Sequence, residues 1–334
     1  MGRGVPRPRR HHRPGTPPLT ARSAQCGRNR AAAERGAGRR ATGGRTVKVL
    51  ADRETGEGLR EIRVHSPALG REVSLAVRTP PGWRPGDHGR HPVLYLLHGS
   101  SDDHTCWRRH TDLLRLAAGS GLLVVMPDGG RLGFYTDWRV PDRAGTVPHW
   151  ETFHLDEVRT LLEQRFGAGE LRLAAGISMG GYGALRYAMR RPGMFRAVAS
   201  LSGLVHLTRP GMGALLGLLS VREGIPPGRI WGPRRRAFAT WAANDPCRHA
   251  EAFRGTEVLL AAGDGTRVPG EETVPGMGLI ERTARAANEE FAERLRTAGV
   301  DVTTHFTAGT HFWGTWRAHL AALWPRLTAP PESA

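Results

Sequence analysis

From about residue 59 to residue 327 the chain alternates between short apolar runs and longer stretches with helical spacing. The stretch "GLREIRVHSPALGREVSLAVRTPPGW" (residues 58–83) holds two alternating runs around "SPALG". That pattern predicts an antiparallel pair at a sheet edge. The runs that follow differ. Val93 to Leu97 is apolar without interruption and stops at His98-Gly99, and "GLLVVMPDGG" (residues 121–130) repeats the pattern. Continuous apolar runs of this length predict strands covered on both faces. "HWETFHLDEVRTLLEQRF" (residues 149–166) has helical spacing of Phe153, Val158, Leu161 and Leu162. It precedes a strand at 171–177, a helix from Gly180 to about Arg190, and a further buried strand in "FRAVASLSG" (residues 195–203). "TEVLLAAGDG" (residues 256–265) is again strand then turn. "IERTARAANEEFAERLRTAG" (residues 280–299) is a long helix stopped by Gly299, "VDVTTHF" the last strand, and "HFWGTWRAHLAALWPRL" (residues 311–327) opens the last helix.

Strands alternating with helices, the middle strands apolar throughout, define an α/β architecture: a mostly parallel sheet with helices on both faces. Residues 204–250 break the rhythm and read as an insertion over the carboxyl edge of the sheet, where this class builds its pockets. The pattern predicts one domain over 47–334, with no internal repeat.

Charge changes the picture only at the start. The formal charge is +17, but residues 1–48 carry thirteen basic residues against one acid, Glu34, leaving +5 for the remainder. Lys48 is the only lysine, all other basic residues being arginine. Residues 1–46 are rich in Arg, Pro and Gly and almost free of large apolar residues, a composition that predicts a disordered tail. No aromatic or nucleic-acid module accompanies the charge, so no specific nucleic-acid partner is expected. No apolar run follows the arginines before Val47, so the start as written is not a secretory signal and points to the cytoplasm. No stretch approaches the length of a membrane span. Cys26, Cys106 and Cys247 make no disulfide framework and lack metal-site spacing, and neither metal nor cofactor is called for.

The candidate chemistry sits in Gly176-Ile177-Ser178-Met179-Gly180. In a G-x-S-x-G elbow the serine occupies a tight strand-to-helix turn that lifts its hydroxyl clear of the sheet, and the N–H of the next residue points at the reacting carbonyl. A serine hydroxyl needs a base, and the base needs an acid to orient it, in chain order Ser, acid, His. Three histidines follow the long helix. His305 lies within the last strand and His319 within the last helix, whereas His311 falls in the loop between them, where an imidazole can reach back over the sheet. For the acid, Asp264 after its strand and Glu281 at the start of the long helix both satisfy the order.

From about Pro92 to Leu327 the sequence resembles the putative-esterase family of α/β-hydrolases. Within it the likeness is to antigen-85-type mycolyltransferases and esterase D-like enzymes. It is carried by "VVMPDGGRLGFYTDW", "WETF", "GISMGG", "SLSG", "NDP" (residues 244–246) and "GTHFW". The resemblance implies Ser178 as nucleophile, His311 as base and, through the pattern Ile280, Glu281, Arg285, Asn288 and Phe291, Glu281 as acid. The oxyanion hole takes the N–H of Met179, directly after the nucleophile, and a second N–H that the resemblance places at Ser100. Asp137, Trp138 and Trp313 are expected to wall the pocket, the alternative being core or rim packing, and His98 reads as structural at a strand end. "SMGGYGA" is the form commoner among general esterases, and "SSDDHTCW" is shorter than its mycolyltransferase counterpart and lacks that group's sugar-site residues. The expected reaction is therefore hydrolysis of a small-molecule or lipid acyl ester through an acyl-enzyme, the alternative being transfer of the acyl group to a sugar or glycerol alcohol.

Overall fold

Nine strands hydrogen-bond into one sheet in the order β1-β2-β3-β5-β4-β6-β7-β8-β9. The strands are β1 (Lys48–Gly56), β2 (Leu59–Ser66), β3 (Arg71–Arg78), β4 (His91–Leu97), β5 (Leu123–Pro127), β6 (Ala168–Ile177), β7 (Ala197–Leu201), β8 (Glu257–Ala262) and β9 (Val302–Phe306). This computed structural model describes residues 46–330 except 57 and 273, together with residues 1, 2 and 4. The rest of the arginine-rich segment over 1–46 lies outside the described residues.

β1 to β3 run antiparallel to one another, and β3 antiparallel to β5. From β5 across to β9 every pairing is parallel. The β2–β3 pair is the hairpin expected from the alternating runs. β1 adds an outer strand that the pattern did not announce, because both of its faces remain largely open to solvent and its residues do not alternate. β4 and β6 are neighbours although β5 lies between them in the chain, so the strand order reverses there and a crevice opens at their carboxyl ends.

The helices that matter for the crevice are α1 (Cys106–His110), α2 (Arg159–Phe166, entered through a π-turn at Phe153–Val158), α3 (Met179–Arg190), α4 (Met212–Arg222), α5 (Met277–Thr297) and α6 (Trp313–Thr328). Alternate residues of the buried strands face different layers. Val93, Tyr95 and Leu97 of β4 join Tyr182 and Leu185 of α3 and Phe291 of α5 in one core. Leu94 and Leu96 join Trp107 of α1 and Trp316 and Leu320 of α6 in the other. This is the physical meaning of an unbroken apolar run: each side chain has a hydrophobic layer to enter, and burying one aliphatic side chain stabilises by about 1.5–3 kcal/mol. Among the described residues no helix is long and apolar enough to cross a membrane.

Candidate active site

β6 ends at Ile177 and α3 begins at Met179, so a single residue, Ser178, turns the chain from strand to helix. It does so at φ 51° and ψ −115°, backbone angles that L residues adopt only under constraint. The constraint comes from its glycines. A Cβ on Gly176 would lie 2.3 Å from the carbonyl carbon of Gly180, and one on Gly180 would lie 2.2 Å from the carbonyl oxygen of Leu97. Only bare backbone lets α3 start this close to β4 and β6.

The loop after β9 brings His311 to this turn, its Nε2 2.8 Å from Ser178 Oγ. On the far side of the ring Nδ1 is 2.6 Å from Oε2 of Glu281, which α5 presents fully buried. The other carboxylate oxygen, Oε1, accepts from Ser202 Oγ at 2.6 Å and from the Gly263 N–H at 2.5 Å. Ser202 Oγ in turn accepts from Trp316 Nε1 at 3.0 Å, and the Trp316 ring stands edge-on to His311 at 5.0 Å. These partners assign the protons. Glu281 accepts at both oxygens, so His311 donates through Nδ1 and its Nε2 lone pair faces the Ser178 hydroxyl. An imidazole so placed can take that hydroxyl proton and return it.

Asp264 stands outside this chain. It is exposed, and its Oδ1 accepts from the N–H and Oγ1 of Thr266 at 2.8 and 2.5 Å. Those Thr266 bonds hold its carboxyl below the usual range. His305 and His319 are also elsewhere: their rings meet edge-on, 5.4 Å apart, and His319 Nε2 bonds Thr307 Oγ1 at 2.8 Å.

A cavity of about 460 Å³ opens over Ser178 and His311, lined by Ser100, Ile177, Leu219, Met277, Ile280 and Trp313 among others. Ser100 makes no hydrogen bond through its N–H among the described residues, and Met179, first in α3, has no intrahelical acceptor for its own. The Ser100 loop is held by His98. The Gly129 N–H donates to His98 Nε2 at 2.7 Å, so the ring donates through Nδ1 to the Gly99 carbonyl, also at 2.7 Å, while Tyr135 Oη donates to the His98 carbonyl at 2.9 Å. Of the three expected pocket residues, Trp313 lines the cavity. Trp138 lines a neighbouring one, and Asp137 caps the helical turn at Trp150–Thr152, accepting from Thr152 N and Oγ1 at 3.1 and 2.8 Å.

Several residues of the site were not singled out from the sequence. Ser202 meets Glu281, and Trp316 meets Ser202 and His311, only in three dimensions. Leu219 and Arg222 of α4, Glu223 just after it, Arg131, and Val274, Met277 and Ile280 around the start of α5 line the cavity from separate segments. Arg186 of α3 explains two of the shared motifs: it donates to Glu151 of "WETF" at 2.5 Å and to Asn244 Oδ1 of "NDP" at 3.0 Å, pinning both loops to the helix behind Ser178. Among the described residues one cluster has the make-up of a metal site, His206, Cys247 and Glu290. None of its members lines the Ser178 cavity, and Glu290 already pairs with Arg294 at 2.7 Å.

A mostly parallel sheet reversing at β4 and β6, with a strained serine at that reversal and an imidazole against it, defines the serine hydrolases of the α/β-hydrolase fold. The chain belongs to the family described as "Putative esterase", whose model matches residues 66–327. It is similar to the diacylglycerol acyltransferase/mycolyltransferase Ag85B of Mycobacterium avium, 33% identical over 279 residues, 80% of this chain and 81% of that one. It is also similar to Esterase Rv1288 of Mycobacterium tuberculosis, 30% identical over 80% of this chain and 61% of that protein. Among solved structures, that of Mycobacterium tuberculosis MPT51 superposes with a TM-score of 0.65 at 25% identity, covering 79% of this chain and 95% of that one. The protein is thus an enzyme of the hydrolase and acyltransferase kind, and its family implies small-molecule ester substrates.

Proposed function

We propose that the protein is a serine esterase that cleaves a carboxylic ester through an acyl-enzyme. Ser178 Oγ attacks the ester carbonyl while His311 Nε2 takes its proton. The N–H groups of Met179 and Ser100 stabilise the oxyanion, a contribution of about 3–4 kcal/mol for each such donor in comparable sites. The C–O bond to the alcohol breaks as His311 returns the proton to the leaving oxygen. Water, activated by the same imidazole, then releases the acid and restores Ser178. Glu281 holds the imidazole through Nδ1 and stabilises the cation it forms. The observation that carries this reading is the continuous contact from Ser178 Oγ to His311 Nε2 at 2.8 Å and from His311 Nδ1 to Glu281 at 2.6 Å. The test is hydrolysis of p-nitrophenyl esters by Ser178→Ala: turnover falls to background while the circular dichroism spectrum is unchanged. Undiminished turnover would refute the assignment.

A second reading hands the acyl group to an alcohol instead of water. It is favoured by the acyltransferase name of the Ag85B relative and by the polar lining of part of the cavity, where Ser101, Arg131, Arg222 and Glu223 cluster. Product analysis with glycerol or trehalose in excess separates the two, since transfer yields an acylated acceptor and hydrolysis only the free acid.

A further inference from the structure

Two kinds of residue line the Ser178 cavity, and they come from different places. Val274, Met277 and Ile280, from the start of α5 and the loop before it, are apolar. Ser101, Arg131, Arg222 and Glu223 form one polar cluster. Ser101 Oγ donates to Glu223, Arg222 Nη2 donates to Ser101 Oγ at 2.8 Å, and Arg131 Nη2 lies 2.7 Å from Glu223 Oε2. The Glu223 side chain is only 2% exposed, whereas that of Arg131 is 69% exposed.

A second cavity, about 290 Å³, lies against this cluster, and Arg131 and Glu223 line both. Its lining includes the buried side chains Leu132, Trp138 and Trp150. Its charge is unbalanced. Four arginines, Arg71, Arg131, Arg143 and Arg229, face two carboxylates, Asp142 and Glu223. Arg71 pairs with Asp142 at 3.0 Å and Arg131 with Glu223 at 2.7 Å. The second oxygen of Asp142 is taken by the Ala144 N–H at 2.9 Å. Arg229 donates to the Pro141 carbonyl at 2.6 Å, and neither it nor Arg143 has a carboxylate partner among the described residues. Two guanidinium charges beside an apolar wall make a site that attracts anions, and the guanidinium fork matches phosphate and carboxylate oxygens in pairs.

We propose that this second cavity binds an anionic group, phosphate or carboxylate, carried on the alcohol half of the ester. The inference rests on Ser178 being the site of ester cleavage. An apolar acyl chain loses least by lying against Val274, Met277 and Ile280, which directs the alcohol toward the polar cluster and the arginines beyond it.

The test compares kcat/KM for the monobutyrate esters of glycerol, of glycerol 3-phosphate and of glyceric acid, in the wild-type chain and in the double variant Arg143→Ala/Arg229→Ala. At low ionic strength the wild type should prefer at least one charged ester over the neutral one by about tenfold or more. The preference should shrink at about 0.5 M salt as the charges are screened, and the double variant should bring the ratio close to one. A ratio taken within one preparation is indifferent to any loss of folded protein. Preference for the phosphate ester alone or the carboxylate ester alone says which anion the cavity takes. Equal kcat/KM for all three in the wild type, or a preference that survives the double substitution, would overturn the proposal. If the wild type cleaves none of the three and a fluorophosphonate leaves Ser178 unmodified, the esterase reading falls, and this inference with it.

Discussion

Ser202 Oγ stands 2.6 Å from Glu281 Oε1, on the opposite side of the carboxylate from His311. The hydroxyl donates to Glu281 while accepting from Trp316, so the rotamer of the buried acid is held from α6 as well as from α5. Ser202 itself sits at φ 54°, a left-handed turn directly after β7 that points its side chain at the carboxylate.

Removing that hydroxyl should therefore loosen the acid without touching substrate. For Ser202→Ala the expected outcome is a fall in kcat of about 10- to 100-fold, the equivalent of one hydrogen bond to a charged group, with KM little changed. Steady-state kinetics on a p-nitrophenyl ester checks it. A loss confined to KM would place Ser202 in substrate binding instead.

The two carboxylates that chain order allowed should separate by a wide margin. Glu281→Gln keeps the shape but removes the acceptor pair that orients Nδ1–H, and kcat should drop by about three to four orders of magnitude, as when a triad acid is made an amide. Asp264→Asn, whose carboxylate is engaged with Thr266 at the surface, should stay within about threefold of wild type. The reverse ranking would return the role to Asp264.

Two histidines make stability sensitive to acid. Burial lowers His154 and His319 to about 4 from an ordinary value near 6.5. The partners of His154 suit a neutral ring: Tyr187 Oη donates to Nδ1 at 2.5 Å, and Nε2 donates to the Asp128 carbonyl at 2.8 Å. Because the folded values are depressed, the unfolded chain binds protons first as pH falls below about 6.5. Stability from these groups is fully present above that pH and is lost progressively down to about 4. The unfolding free energy should thus decline between pH 6.5 and 4, by up to about 1.4 kcal/mol per pH unit for each histidine, and the thermal midpoint should fall with it. His319→Gln should flatten the decline by about one proton's worth. A midpoint independent of pH across this window would contradict the account.

Much of this architecture was legible in the residues, for identifiable reasons. Strands such as Val93 to Leu97 announced themselves because both faces enter apolar layers, and the elbow because Gly176 and Gly180 stand where a side chain would collide with backbone. β1 was silent because neither of its faces is packed away. The helical spacing from Phe153 to Leu162 was visible, but not the π-turn within it, which helps set His154 against Tyr187 and Asp128. The cavity lining was least legible. Asp137 and Trp138 lie close in sequence to site loops, yet the one caps a helical turn and the other lines the adjacent cavity. Leu219, Glu223 and Met277 come together only when the insertion and the start of α5 fold over the sheet, a relation that no local pattern encodes.

In the proposed reaction His311 makes the Ser178 hydroxyl nucleophilic, and mass-spectrometric mapping of fluorophosphonate labelling is the decisive test. One adduct per chain is expected, on the peptide containing Ser178, forming rapidly in the wild type and at least about a hundredfold more slowly in His311→Ala. Labelling of a different residue, or equal rates in the two proteins, would contradict it.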